Sequence, residues 1–276
     1  MKPRRSFIVV LPRSADPLRK FLPALLFLCV ACLSLAWLCP QKKPVLYIIG
    51  DSTVRNGNGT GSDSLWGWAS LVDPYFDTSR IGIDNRALGG RSSRTFITEG
   101  RWDKIMQTLQ PGDFVLMQFG HNDAGPLDDT ARARGTIRGI GNESREIYNP
   151  IRRQPETVYT YGWYLRKYVN DTKSKGAIPI ICSPVPRDNW KDGRVMRADT
   201  TYALWARQIA VETGTLFIDL NQLIADRYEQ LGQQAVSGFF PKDHTHTNRQ
   251  GAALNAATVA GALRQSDGEL KKYLNN

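Results

Sequence analysis

Cysteine and histidine are scarce in this chain, with four and three copies in 276 residues, and each scarcity removes a class of protein. Cys29 and Cys32 lie in an apolar N-terminal run, which leaves Cys39 and Cys182 and no disulfide framework. A hydrolytic metal site would have to combine His121, His244 or His246 with carboxylates such as Asp51, Asp123 and Asp243, and no ligand spacing of the usual zinc type is present. No Lys/Arg-rich run with interleaved aromatics occurs, so nothing points to nucleic acid as a partner. Internal repeats, low-complexity tracts and a second composition regime are lacking too, which predicts one folded domain over residues 40–276. What is present, 41% hydrophobic and 22% charged residues, excludes disordered and fibrous classes.

The N-terminus differs from the rest. Lys2, Arg4, Arg5, Arg13, Arg19 and Lys20 face only Asp16, and no charge occurs from Phe21 to Leu38. A basic segment followed by an apolar one predicts a signal peptide over residues 1–36, with Ser34 and Ala36 as the small residues before the cut. The run is also long enough to read as an uncleaved membrane anchor, since about 20 apolar residues span a bilayer. The chain is expected to be secreted or periplasmic after cleavage, or otherwise to touch a membrane through residues 21–38 alone. The segment carries +5 (six positive minus one negative) of the net charge of +10, leaving +5 (10 − 5) for the remainder. A moderately basic domain permits electrostatic steering of an acidic substrate.

Beyond the leader, short apolar runs alternate with stretches of helical period, the pattern of a parallel sheet covered on both faces by helices. Val45–Ile49, Phe114–Gln118, Ile178–Cys182 and Leu216–Ile218 are predicted strands, with a weaker one at Ser79–Ile83. Helices are predicted at about Trp66–Tyr75, Trp102–Leu109, Val158–Ser174, Thr200–Glu212, Leu220–Leu231 and Arg249–Leu263. The stretch Ala124–Pro155, rich in Gly, Arg and Asp, reads as a long irregular insertion.

In such a sheet, ligands bind beyond the carboxyl ends of the strands. Gly50-Asp51-Ser52-Thr53 follows the first strand, Asn85 to Arg94 follows the weak one, and Gly120-His121-Asn122-Asp123 follows the strand ending at Gln118. Asp243-His244-Thr245-His246 precedes the last helix. Ester cleavage by serine needs a hydroxyl, a base, a group that orients the base, and donors for the oxyanion. Ser52 would attack, His246 would take and return the proton, and Asp243 would fix the imidazole. The N–H groups of Ser52 and Gly90 and the side-chain amide of Asn122 would receive the developing negative charge. Taken singly, each motif is an ordinary turn or cap; what distinguishes them is their joint occurrence, in order, at the ends of successive units. Trp66 and Trp68 are candidates to stack on sugar rings, although two tryptophans at i and i+2 more often mean that one is core; Arg91 and Arg94 are candidates to pair with substrate carboxylates or, equally, solvated or paired structural arginines.

With Gly-Asp-Ser-Thr at 50–53, Asn-Arg-Ala-Leu-Gly-Gly-Arg-Ser-Ser-Arg at 85–94, Gly-His-Asn-Asp at 120–123 and Asp-His-Thr-His-Thr-Asn at 243–248, the chain resembles the SGNH (GDSL-like) hydrolases, and among them the rhamnogalacturonan acetylesterases. The resemblance implies a three-layer α/β/α sandwich with a flavodoxin-like parallel sheet. It puts the family's nucleophile on Ser52, its glycine on Gly90, its asparagine on Asn122, and its Asp and His on Asp243 and His246. It further implies removal of acetyl groups from an acidic pectic polysaccharide, without a metal or organic cofactor; the alternatives are another carbohydrate or small-molecule acetylesterase of the same superfamily, or a non-catalytic carbohydrate-binding protein on the same fold.

Overall fold

In the computed structural model, which describes residues 42–57 and 64–275, five parallel strands form the central sheet. They are β1 (Val45–Gly50), β2 (Gly82–Asn85), β3 (Phe114–Gln118), β6 (Ile178–Cys182) and β9 (Leu216–Ile218), in the spatial order β2-β1-β3-β6-β9. Counted among themselves these strands run 2-1-3-4-5, the flavodoxin-like order expected. Two antiparallel hairpins lie outside the sheet: β4 (Ser144–Asn149) with β5 (Gln154–Tyr159), and β7 (Trp190–Lys191) with β8 (Arg194–Val195). The seven helices among the described residues are α1 (Ser93–Thr98), α2 (Arg101–Met106), α3 (Tyr161–Ser174), α4 (Tyr202–Thr213), α5 (Leu220–Leu231), α6 (Gln233–Ser237) and α7 (Arg249–Gln265).

Three layers follow from burial on both faces of the sheet. Along β1 and β3, Leu46, Ile48, Phe114 and Leu116 point into a core shared with Trp68, Ile224, Val259 and Leu263, under α5 and α7. The alternate residues Tyr47, Ile49, Val115 and Met117 point the other way, toward Phe96, Trp102, Leu165 and Ile209 of α1 to α4. A strand buried on both faces has no polar side, so it reads as an unbroken apolar run. Cys182, at the end of β6, is a buried free thiol whose pKa burial pushes up.

Several elements differ from expectation. The edge strand β2 begins at Gly82, three residues later than the predicted start at Ser79, because Ser79 and Arg80 belong to a turn held by the Asp77 carboxylate. Trp66–Tyr75 is not one α-helix but two 3-10 turns, Trp68–Leu71 and Asp73–Tyr75, separated before Pro74. The insertion Ala124–Pro155 is not wholly irregular, since β4 lies within it and pairs with β5. Helix α1 was not predicted; Ser92 caps it by accepting from the Thr95 N–H, while the Thr95 hydroxyl takes the Ser92 N–H.

The predicted leader, residues 1–36, lies outside the described residues. Among the described residues no helix is long and apolar enough to cross a membrane.

Candidate active site

Ser52 stands two residues past β1 on a single helical turn, in which the Asp51 carbonyl accepts from the N–H groups of Val54 and Arg55. Gly50 allows this turn to lie flat against β3: a Cβ there would sit 2.6 Å from the Gln118 carbonyl oxygen. Underneath runs a chain of buried hydrogen bonds. Trp68 Nε1 donates to Gln118 Oε1 (2.9 Å), Gln118 Nε2 donates to Thr53 Oγ1 (2.7 Å), and the Thr53 hydroxyl donates to Asp51 Oδ1 (2.7 Å).

The second half of the site arrives from the far end of the chain. His246 and Ser52 meet with Nε2 and Oγ 2.8 Å apart, and His246 Nδ1 lies 2.7 Å from Asp243 Oδ2. The other Asp243 oxygen accepts from the N–H groups of Thr245 and His246, both at 2.7 Å. Partial burial would raise the Asp243 pKa, but these bonds outweigh it and bring it down to about 2, so the group beside the imidazole is a carboxylate. The loop is held by Thr247, which bridges to Trp66 through Trp66 N–H to Thr247 O (2.8 Å). Asn248 then caps α7, accepting from Gly251 N–H.

On the other side of Ser52 lies the turn Leu88 to Ser92. A Cβ on Gly89 would sit 3.5 Å from that of Ser52, and Gly90 has φ +80°, a left-handed value that favours glycine. Among the described residues, the N–H groups of Ser52, Gly89 and Gly90 find no acceptor within the protein. Buried or cleft-facing backbone donors are rarely left so, and these are available to an oxyanion. Asn122 is nearly buried and gives one amide hydrogen to the Arg91 carbonyl at 2.9 Å, which orients its side chain and leaves its second N–H free.

Behind Ser52, His121 Nε2 is 3.0 Å from the Val185 carbonyl and therefore carries a hydrogen, while Nδ1 is 3.3 Å from Asp51 Oδ2. Asp51 is fully buried, which by itself raises its pKa; attraction to His121 and the bonds from Thr53 prevail and lower it. Asp123, also fully buried, behaves oppositely: burial outweighs the bonds from the Ser93 hydroxyl and N–H and raises it to about 7. His244 is exposed, and its carbonyl accepts from Asp188 N–H.

Ser52, His246, Asp243, Gly90 and Asn122 all line one cleft of about 750 Å³. The four expected substrate contacts fare differently. Trp68 is fully buried in the core with its indole N–H on Gln118, and no sugar can reach it. Trp66 is half-buried below the Arg249 guanidinium and holds the Thr247 bridge, outside the cleft. Arg94 is fully buried, paired with Glu156 at 2.6 Å and donating to the carbonyls of Leu127 and Gly135, so it is structural. Arg91 does line the cleft, with its fork committed to Glu99 (2.9 Å) and the Gly89 carbonyl (2.9 Å). Sequence reasoning missed Arg132, Arg134 and Arg187, which also line it. For Arg132 and Arg134 the available signal was the arginine-rich composition of the insertion Ala124–Pro155; Arg187, beyond the strand Ile178–Cys182, carried none.

A hydroxyl, an imidazole and a carboxylate in line, with free N–H groups beside the hydroxyl at the carboxyl end of a parallel α/β sheet, is the arrangement of serine hydrolases that cleave esters. The chain belongs to the GDSL-like lipase/acylhydrolase family, which it matches over residues 48–254, and it is a carboxylic ester hydrolase. It is 33% identical over 235 residues to the rhamnogalacturonan acetylesterase of Emericella nidulans, covering 85% of this chain and 90% of that one. A probable rhamnogalacturonan acetylesterase of Bacillus subtilis is 30% identical over 226 residues, covering 80% of this chain and 92% of that one. The crystal structure of the YxiM protein of Bacillus subtilis superposes with a TM-score of 0.65 at 25% identity, covering 82% of this chain. Here the match takes in only 57% of the other protein's length.

Proposed function

We propose that this protein is a serine acetylesterase that removes O-acetyl groups from an acidic pectic polysaccharide of the rhamnogalacturonan type, through an acyl-enzyme on Ser52. The observation that carries the reading is the unbroken relay Ser52–His246–Asp243, with spacings of 2.8 and 2.7 Å, opening onto the cleft. His246 takes the serine proton as Oγ attacks the acetyl carbonyl, and Asp243 holds the imidazole and offsets its positive charge. The tetrahedral oxyanion is received by the N–H groups of Ser52 and Gly90 and by the free amide hydrogen of Asn122. His246 then protonates the leaving sugar hydroxyl, and water releases acetate by the same steps in reverse roles. The names of the two relatives above support the substrate class. A polymer of this kind lies outside the cell, which fits residues 1–36 as an export signal or anchor.

Acetate release from acetylated rhamnogalacturonan, acetylated xylan and p-nitrophenyl acetate tests the reading. The pectic polymer is the best substrate, and Ser52→Ala loses at least about 10³-fold in kcat with its melting temperature kept. A clear preference for xylan overturns the substrate; full activity of Ser52→Ala overturns the mechanism.

A further inference from the structure

Among the described residues, the cleft beside Ser52 is lined by four arginines, Arg91, Arg132, Arg134 and Arg187, and by two carboxylates, Glu99 and Asp243. Both carboxylates are already engaged, Glu99 by Arg91 and Arg101, and Asp243 by His246. Among the described residues no carboxylate lies within ion-pair distance of Arg132, Arg134 or Arg187. Arg134 donates to the Gly90 carbonyl (3.2 Å) and Arg187 to the His121 carbonyl (3.4 Å), so both guanidinium groups are anchored to the segments that surround Ser52. Neither is a freely solvated surface charge, since both are half-buried.

The loop that presents two of them is constructed rather than slack. The Asp129 carboxylate accepts from the N–H groups of Ala131 (3.0 Å), Arg132 (2.7 Å) and Ala133 (2.9 Å). Between the two arginines, Ala133 is buried with φ +42°, a left-handed conformation that strains a residue with a Cβ. The buried Arg94 ties down both ends of the loop through the carbonyls of Leu127 and Gly135, each at 2.8 Å. Strain and three bonds to one carboxylate therefore hold two like charges side by side at the rim. Burial lowers the Arg134 pKa, and the neighbouring Arg132 charge lowers it further, a cost that an anion bound between them would relieve.

The geometry points to a carboxylate-binding subsite formed by Arg132, Arg134 and Arg187, which selects the uronic-acid units of the substrate; this rests on the reading of Ser52 as the nucleophile of an esterase acting on an acidic glycan. Arginine suits the task because its planar fork matches a carboxylate, whereas a neutral acetylated glycan leaves these charges unanswered. The candidates read from the sequence, Arg91 and Arg94, each already paired with a glutamate, are replaced in this role by side chains that no carboxylate of the described residues pairs.

Two measurements on the full chain test the subsite. The first compares KM for acetylated galacturonate oligomers with KM for the same oligomers as carboxyl methyl esters. The wild type prefers the free acid, and Arg134→Gln and Arg187→Gln each reduce that preference by about tenfold, the worth of a charge-assisted pair. Arg134→Lys retains part of it. Arg227→Gln, which removes an equal charge from an exposed position on α5, leaves the preference intact. The second measurement is calorimetric binding of an unacetylated galacturonate oligomer, which involves no ester chemistry: the wild type binds, and the triple Arg132/Arg134/Arg187→Gln variant, with its melting temperature kept, does not. Equal binding by wild type and triple variant, or a preference unchanged in the single variants, overturns the subsite. Arginine-dependent binding without hydrolysis of the acetylated oligomer overturns the esterase reading and keeps the subsite.

Discussion

Asp51 and Asp123 are both fully buried behind Ser52, and their opposite shifts make stability depend on pH in two directions. Asp51 has a lowered pKa, so its contribution is present above the carboxyl value of the unfolded chain and is lost as pH falls. Asp123 is raised from 3.8 to about 7, so its contribution is full below about 4 and is lost as pH climbs to about 7. At about 1.4 kcal/mol per pKa unit, Asp123 alone puts an upper bound of about 4 kcal/mol on that loss. The melting temperature of the wild type is expected to fall between pH 5 and pH 8, and that of Asp123→Asn to fall less; parallel curves would remove Asp123 as the source. Trp68 offers a second test. Trp68→Phe keeps most of the buried ring but strips Gln118 Oε1 of its donor, which costs about 1–3 kcal/mol in denaturant unfolding. The spacing of Trp66 and Trp68 predicts that one of the pair is core, but not which, because the partner that holds Trp68 there, Gln118, lies fifty positions away.

The β4–β5 hairpin shows how an element outside the sheet controls the cleft. Glu156 on β5 is nine-tenths buried, accepts from Asn149 across the hairpin, and pairs with Arg94, which in turn holds the loop bearing Arg132 and Arg134. Glu156→Ala leaves the Arg94 charge buried and uncompensated, and it is expected to destabilise the fold by about 3–5 kcal/mol, measured by chemical denaturation. The sequence displayed the sheet well where burial on both faces leaves continuous apolar runs, as in β1, β3 and β6, and it displayed α5 to the residue. It concealed β4, whose Ser-Arg-Glu-Ile-Tyr-Asn is largely exposed and has no apolar face to show a period of two. It concealed α1 for a different reason: six residues are too few for a helical period, and only the Ser92–Thr95 cap marks the start. In the same way, the relay residues Ser52, Asp243 and His246 stood out by their local motifs, whereas Arg134 and Arg187 acquire meaning only from the carbonyls they reach in space.

Across the whole molecule, the charge of +5 that remains once residues 1–36 are set aside (10 − 5) predicts that long-range attraction assists an acidic polymer and leaves a neutral ester unaffected. Raising ionic strength from about 0.05 to 0.5 M should therefore lower kcat/KM for the pectic polymer several-fold, with p-nitrophenyl acetate unchanged, because screening shortens the Debye length well below 10 Å. Equal salt dependence for both would assign the effect to the protein rather than to steering. The relay itself has a consequence in time. Asp243 and His246 are three residues apart and can find each other locally, but Ser52 lies 194 positions from His246, and the Trp66–Thr247 bridge that fixes their loop closes over 181. Closing a loop of that size is a late event in a refolding chain. Helical circular dichroism should then return ahead of ester hydrolysis after dilution from denaturant, so that the enzyme is recognisably folded before it is able to work.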